Sequence, residues 1–403
     1  MSAARPSASR LGRVREVMNG YVERGEVPGV VVLVSRRGAT QVYAVGQRSF
    51  GSAEPMRRDT IFRISSMTKP VTAVATMILV EECKLRLDEP VDRLLPELAE
   101  RKVLKRVDGP LDDTEPANRP ITVRDLLTFR MGFGVLMAPP DTFPIQKAVA
   151  ELRLGQGPPA PSIPPPPDEW MRRLGTLPLM YQPGERWMYN TGSDVLGVLI
   201  ARAAGQPLEV FMRERIFDPL GMNDTGFSVP PTDIGRLVTT SRTNPFTGSF
   251  EVYDEAEGGQ WSRPPAFPSG SGGLVSTAED YFAFGQMLLD KGAYRDGRIL
   301  SRSSVEVMTA DHLTPAQKSH GGLVPGFFEN HGWGFGVSVV TRRDEVAKSV
   351  GTFGWDGGLG TTWSSDPREE MVTILMSPIA WRSPDPPNIC LDFWTSAYQA
   401  IDD

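Results

Sequence analysis

The 403-residue sequence predicts an α/β fold of the α+β kind: a mostly antiparallel sheet flanked by helices, with an inserted mainly helical domain. Two observations predict it. Strand-like runs cluster at the two ends of the chain, each set accompanied by an amphipathic helix, whereas the middle turns to short helices and long loops.

In chain order, the apolar stripe Leu11, Val14, Met18 and Tyr21 predicts a helix over about residues 11–24. Two β-rich runs, 30–35 and 41–45, are joined by the Arg37-Gly38 turn and read as a hairpin. Residues 71–80 are apolar on nearly every side, which marks a helix buried all round. In the middle, Thr122 opens a short helix over 123–128, and Ser276 with Glu279 forms a capping box before 281–289. Strand-like runs return at 334–341, 358–364 and 371–376, followed by a helix over 389–401 with Asn388 as its cap. Pairing the strands of both ends in one sheet divides the chain into an α/β domain, 1–88 and 291–403, and an inserted helical domain, 89–290, with boundaries near Asp88 and Lys291. The proline-rich stretch 157–167 reads first as a stiff surface connector and second as a rim over a cleft.

Composition narrows the function. With 40% apolar and 23% charged residues and a net charge of −6, the chain reads as an ordinary globular protein with sizeable cores. Arginines are dispersed without a basic run, so a nucleic-acid partner is not expected. The first twenty residues lack a signal-peptide h-region and no stretch reaches membrane-spanning length, so the expectation is a cytoplasmic protein with no membrane partner. Cys83 and Cys390 lie in helical patterns and read as core residues without a disulfide framework. His312, His320 and His331 match no metal-ligand spacing, so no metal and no cofactor are expected. No Gly-x-Ser-x-Gly elbow occurs.

Three features carry chemistry. In Ser66-Met67-Thr68-Lys69 the serine and lysine are one helical turn apart, with Pro70 fitting only in the first turn of the buried helix. Burial disfavours the ammonium, so a neutral amine can take the serine proton, and the helix N-terminus favours an oxyanion. The bland alternative is an N-cap serine beside a solvated lysine. Tyr189 follows the turn-rich Pro183-Gly184-Glu185-Arg186-Trp187 and precedes a helix over 194–203, a junction from which a phenol can reach a cleft. A half-buried tyrosine with a satisfied hydroxyl is its alternative. Gly354-Trp355-Asp356-Gly357-Gly358-Leu359-Gly360 lies between strands, where glycines let backbone approach a ligand; a tight hairpin with a packed tryptophan is the alternative.

In order, these features sit within Phe62-Arg63-Ile64-Ser65-Ser66-Met67-Thr68-Lys69, Leu87-Asp88-Glu89-Pro90-Val91, Ile121-Thr122-Val123-Arg124-Asp125-Leu126-Leu127-Thr128, Pro183-Gly184-Glu185-Arg186-Trp187-Met188-Tyr189-Asn190, Ile216-Phe217-Asp218-Pro219-Leu220-Gly221-Met222 and Gly272-Gly273-Leu274-Val275-Ser276-Thr277. Over nearly its whole length the chain resembles the β-lactamase-like serine hydrolases, in particular the family VIII carboxylesterases, which look like class C β-lactamases. The resemblance implies a β-lactamase/transpeptidase-like fold, Ser66 as acylated nucleophile, Lys69 as its base and Tyr189 as the proton shuttle. It further implies an oxyanion hole from the backbone N–H groups of Ser66 and Gly358.

Two departures stand out. The family's Tyr-x-Asn reads Tyr189-Asn190-Thr191 here, and the lysine-led last motif of β-lactamases is replaced by Trp355-Asp356-Gly357, similar to the Trp-x-Gly of the esterases. Trp355, Asp356, Gly357 and Asn190 are therefore expected to bind substrate, and Lys348, out of register, is expected at the surface. Tyr253, Trp261 and Phe267 read as packing residues with pocket lining as the second choice. The expected activity is a serine carboxylesterase acting on small-molecule esters of short or medium acyl chain. An acyltransferase of the same fold, a β-lactamase or D-amino-acid peptidase, and an inactive binding module are its rivals; oligomeric state is not specified.

Overall fold

A computed structural model describes residues 8–401, so the part of the leader expectation that rests on residues 1–7 lies outside the described residues. Helix α1 (Ala8–Glu23) leads into β1 (Gly29–Arg36) and β2 (Ala39–Gly46). Arg37 and Gly38 both adopt left-handed φ, +49° and +78°, which is what a two-residue hairpin turn with the right twist requires. Five further strands come from the other end of the chain: β3 (His331–Trp333), β4 (Ser338–Val340), β5 (Phe353–Gly357), β6 (Thr361–Asp366) and β7 (Met371–Met376). They form one sheet in the order β3-β4-β5-β6-β7-β1-β2, with every pairing antiparallel.

Both faces of the sheet are covered, which explains why β1 is apolar at almost every position and buried throughout. Val31 and Leu33 join the larger core, whereas Val30, Val32 and Val34 join a smaller one with Val14 and Met18 of α1 and Phe393 and Trp394 of the C-terminal helix. The intervening helices that frame the site are, among others, α2 (Thr68–Glu81), α3 (Val123–Leu127), α4 (Thr191–Ala204) and α5 (Ala278–Leu289), and the C-terminal helix is α6 (Asn388–Tyr398). Residues Thr68 to Leu79 of α2 are all buried, with α4 packed along it. Thr122 caps α3 as expected, its hydroxyl accepting from the Asp125 N–H at 3.2 Å while the Asp125 carboxylate accepts the Thr122 N–H at 3.0 Å.

Several local expectations need correction. The run 334–341 is not one strand: residues 334–337 form the turn of the β3–β4 hairpin, with Gly336 at φ +69°, and only Ser338–Val340 is strand. The glycine-dense segment before Gly358 is strand β5, in register with β6 through the pair Trp355 and Trp363, and β6 starts only at Thr361 because Gly358 to Gly360 form the turn. Thr277, not Ser276, caps α5, since its hydroxyl accepts from Asp280 N–H while Ser276 Oγ is engaged with Thr225. Pro387 occupies the cap position of α6, with Asn388 its first residue. Cys390 is buried, but Cys83 is exposed just past α2.

Helix α5 packs on β6, β7 and β1. We propose on that ground to draw the second domain boundary before α5 rather than near Lys291. Among the described residues no single helix is long and apolar enough to cross a membrane.

Candidate active site

The segment Phe62–Arg63 pairs with Val275–Ser276 and is locked from below by Arg63, whose guanidinium meets Asp254 at 2.5 Å with both side chains buried. The same guanidinium donates to the Val238 and Glu255 carbonyls at 2.6 and 2.8 Å, so the buried charge is fully engaged. Ser65 then takes φ +47°, an uncommon conformation for a residue with a Cβ, and a single 3₁₀ turn, Ser65–Met67, runs into α2. This puts Ser66 at the mouth of a cleft and Lys69 one turn behind it.

Lys69 Nζ lies 2.9 Å from Ser66 Oγ and donates to the Ser271 carbonyl at 2.7 Å. The lysine is fully buried, and loss of hydration brings its pKa down to about 7, opposed by the negative charge of Asp194. A substantial fraction of neutral amine therefore exists near neutral pH.

Tyr189 approaches from the other side. Its ring centroid is 4.4 Å from Lys69 Nζ, and its hydroxyl is near enough to the Ser66 side chain to influence its own ionisation. Asn190, with φ +85°, makes the sharp junction into α4, and the Val135 N–H holds the Tyr189 carbonyl at 2.9 Å. The ring is boxed by Phe129, Trp187, Trp333 and Trp355. Burial pushes the phenol well above its ordinary pKa, so the hydroxyl keeps its proton and can pass one on rather than stand as phenolate.

The β5–β6 turn completes the group. Gly358 lines the cleft with open space where a Cβ would point, and neither its N–H nor that of Ser66 has a protein acceptor among the described residues. Gly357 does not line the cleft as expected. A Cβ there would collide with the Ile64 carbonyl oxygen and with Thr361 Oγ1, so its task is to let β5 lie against the backbone before Ser66. Trp355 lines the cleft, but its indole N–H is committed to the Tyr189 hydroxyl at 2.8 Å. Asp356 and Asn190 both face the cleft. Burial raises the Asp356 pKa, and Thr362 Oγ1 donates to its carboxylate.

Lys348 is not a surface residue: it is half-buried, lines the cleft, and stacks its ammonium 3.3 Å above the Trp394 ring, with burial lowering its pKa against the pull of Asp356. The proline-rich stretch lies at the surface and also takes the second reading, a rim over the cleft. Pro158, Pro159, Pro161 and Pro164 line the cleft, and Tyr253 Oη holds the Pro159 carbonyl at 2.5 Å. Tyr253 and Phe267 line the cleft, whereas Trp261 packs behind it, its indole N–H on the Gly273 carbonyl at 2.9 Å. The whole cleft measures about 1190 Å³.

Sequence reasoning overlooked Asp194 and the loop at Ser269 and Ser271. The one available signal was an acid in the first turn of a helix otherwise apolar enough to be buried.

A sheet covered on both faces, with a serine, a buried lysine and a tyrosine in mutual contact beside a glycine turn, defines a serine hydrolase of the β-lactamase-like class. The family model described as Beta-lactamase matches residues 14–380, and the chain belongs to that family. It is 40% identical over 372 residues to Protein Rv1367c of Mycobacterium tuberculosis, spanning 90% of this chain and 88% of that one. It is 31% identical to lovastatin esterase of Penicillium rubens, over 88% of this chain and 89% of that one. Among solved structures it is similar to EstCE1, described as a hydrolase with promiscuous acyltransferase activity, with a TM-score of 0.80, 25% identity and coverage of 97% and 98%.

Proposed function

We propose that the chain is a serine carboxylesterase working through an acyl-Ser66 intermediate. The observation that carries this reading is the 2.9 Å contact between Lys69 Nζ and Ser66 Oγ in a site where the amine is buried. Ser66 Oγ attacks the ester carbonyl carbon as its proton passes to the neutral Lys69 amine. The new oxyanion sits between the N–H groups of Ser66 and Gly358, each contributing about 3 kcal/mol to lowering the barrier. The alkoxy C–O bond then breaks, and the departing alcohol takes a proton through the Lys69 and Tyr189 pair. Water repeats the sequence on the acyl-enzyme and releases the acid. Asn190, Trp355 and Asp356 border the ester, Trp355 by orienting Tyr189.

Acyl transfer is the second reading, favoured by a cleft roomy enough for an acceptor alcohol beside the acyl group and by the transfer activity named for EstCE1. A cytoplasmic location goes with the proposal and is tested by fractionation of the native host.

Intact mass spectrometry after exposure to activated esters tests the chemistry. The expected product is one acyl adduct that maps to Ser66 and is missing in Ser66→Ala, whose turnover of p-nitrophenyl butyrate falls more than about a thousandfold with an unchanged melting curve. An adduct on another residue, or retained turnover, refutes the assignment.

A further inference from the structure

Asp194 is a buried carboxylate, 4% exposed, for which the mechanism above has no use. It stands in the first turn of α4. One of its oxygens accepts from Ser269 Oγ at 2.7 Å and from the Ser271 N–H at 3.1 Å; the other accepts from Ser271 Oγ at 2.8 Å. Both oxygens are thus spent on a single loop.

The opposite side of that loop is pinned to α2. Thr72 Oγ1 donates to the Gly270 carbonyl at 2.7 Å, Lys69 Nζ to the Ser271 carbonyl at 2.7 Å, and the Leu274 N–H to Thr68 Oγ1 at 3.1 Å. Gly270 is needed in the middle, because a Cβ there would run into the Ser193 carbonyl oxygen of α4. The loop is a spacer clamped between two helices, and its Ser271 carbonyl is the second contact of the amine besides Ser66.

A neutral amine has two N–H bonds and one lone pair. Fixing one N–H on a rigid carbonyl limits rotation about Cε–Nζ and decides where the lone pair points. We propose that Asp194 is a positioning residue for Lys69: it holds the Ser271 carbonyl where it takes one N–H of the amine, leaving the lone pair aimed at the Ser66 hydroxyl. This rests on the reading of Lys69 as general base. The carboxylate has an electrostatic effect as well. The titratable or nucleophilic groups around the amine are Ser66, Tyr189 and Asp194, and Asp194 is its one charged partner among the described residues. Its charge favours the ammonium and so raises the pH at which the amine becomes free.

The test compares Asp194→Asn, Asp194→Ala and Ser269→Ala with the unaltered protein, recording kcat/KM of p-nitrophenyl butyrate across neutrality together with melting curves. Asparagine keeps the shape and loses the charge, so Asp194→Asn moves the ascending limb down by about one pH unit while retaining most of the plateau. Alanine also releases the loop, so the Asp194→Ala plateau falls about a hundredfold. Ser269→Ala lowers the plateau without moving the limb. An acid that merely supports the helix gives losses in proportion to unfolded protein and a limb that stays in place, and a Ser269→Ala plateau equal to that of the unaltered protein overturns the proposal even if Asp194→Ala fails to fold. If Ser66 is not acylated in the unaltered protein, the esterase reading fails first; if it is acylated and all three variants match it, only the role of Asp194 falls.

Discussion

At Lys69 the cost of burial and the needs of the reaction point the same way. Desolvation lowers its pKa from 10.5 to about 7, and a base must be unprotonated to accept the Ser66 proton. The sign follows directly: below about pH 7 the amine is increasingly ammonium and idle, above it the amine is free. Tyr189, pushed upward, keeps its proton throughout and adds no second limb near neutrality. We therefore expect kcat/KM for p-nitrophenyl butyrate to fall about tenfold per pH unit below that midpoint and to level off above it. A flat profile through neutrality would rule Lys69 out as the base. The Ser66 and Lys69 pair was legible because both lie on one face of one helix, three positions apart. Asp194 was not, since the serine it grips is 77 residues away and helical periodicity carries no information about such partners. Lys348 was misread for the same reason: its stacking partner Trp394 lies on another element, α6.

Elements were legible where a pattern is local. The Arg37-Gly38 hairpin, the all-buried α2 and the Thr122 cap each follow from neighbours within a few residues. Strand β5 was hidden because Gly354 and Gly357 weaken any strand signal, yet both are glycine for one reason: close backbone approach. At Gly354 the neighbour is the Trp363 carbonyl across the ladder; at Gly357 it is the carbonyl just ahead of the Ser65–Ser66 turn. Adjacent glycines therefore differ sharply in tolerance. Gly357→Ala has to push β5 away from Ile64, and we expect a loss of about 1–3 kcal/mol in stability together with a collapse of kcat as the Gly358 N–H leaves its place. Gly358→Ala meets open space and should melt within a degree or so of the parent, keeping its N–H and much of its turnover. Thermal melts and steady-state kinetics on the pair decide it; equal losses at both sites would mean that the β5 contact does not position the turn.

For the whole molecule, the two ends of the chain supply the sheet and the glycine turn, while the middle supplies Tyr189, the Asp194 clamp and the proline-rich wall. Neither part contains the cleft by itself. The wall was unreadable in sequence because prolines specify stiffness and not what they lie against. In the fold it is held at Pro159, whose carbonyl accepts from Tyr253 Oη, and at Ser162, which bonds the Gln260 side chain and whose carbonyl accepts from Arg153. A stiff segment tied at few points moves as a unit when one tie is cut, and its prolines line the cleft without a polar side-chain group to offer the reacting atoms. Removing the Tyr253 hydroxyl should therefore alter binding and leave chemistry alone. In Tyr253→Phe we expect KM for a bulky ester to rise about fivefold, the worth of one hydrogen bond near 1 kcal/mol, while kcat stays put and p-nitrophenyl acetate, with its smaller acyl group, is affected less. The discriminating measurement is the ratio of kcat/KM between the two esters in parent and variant. A ratio that does not change would mean that substrates bind without touching the wall, and a drop in kcat for both would mean that the wall acts on the Ser66 centre itself.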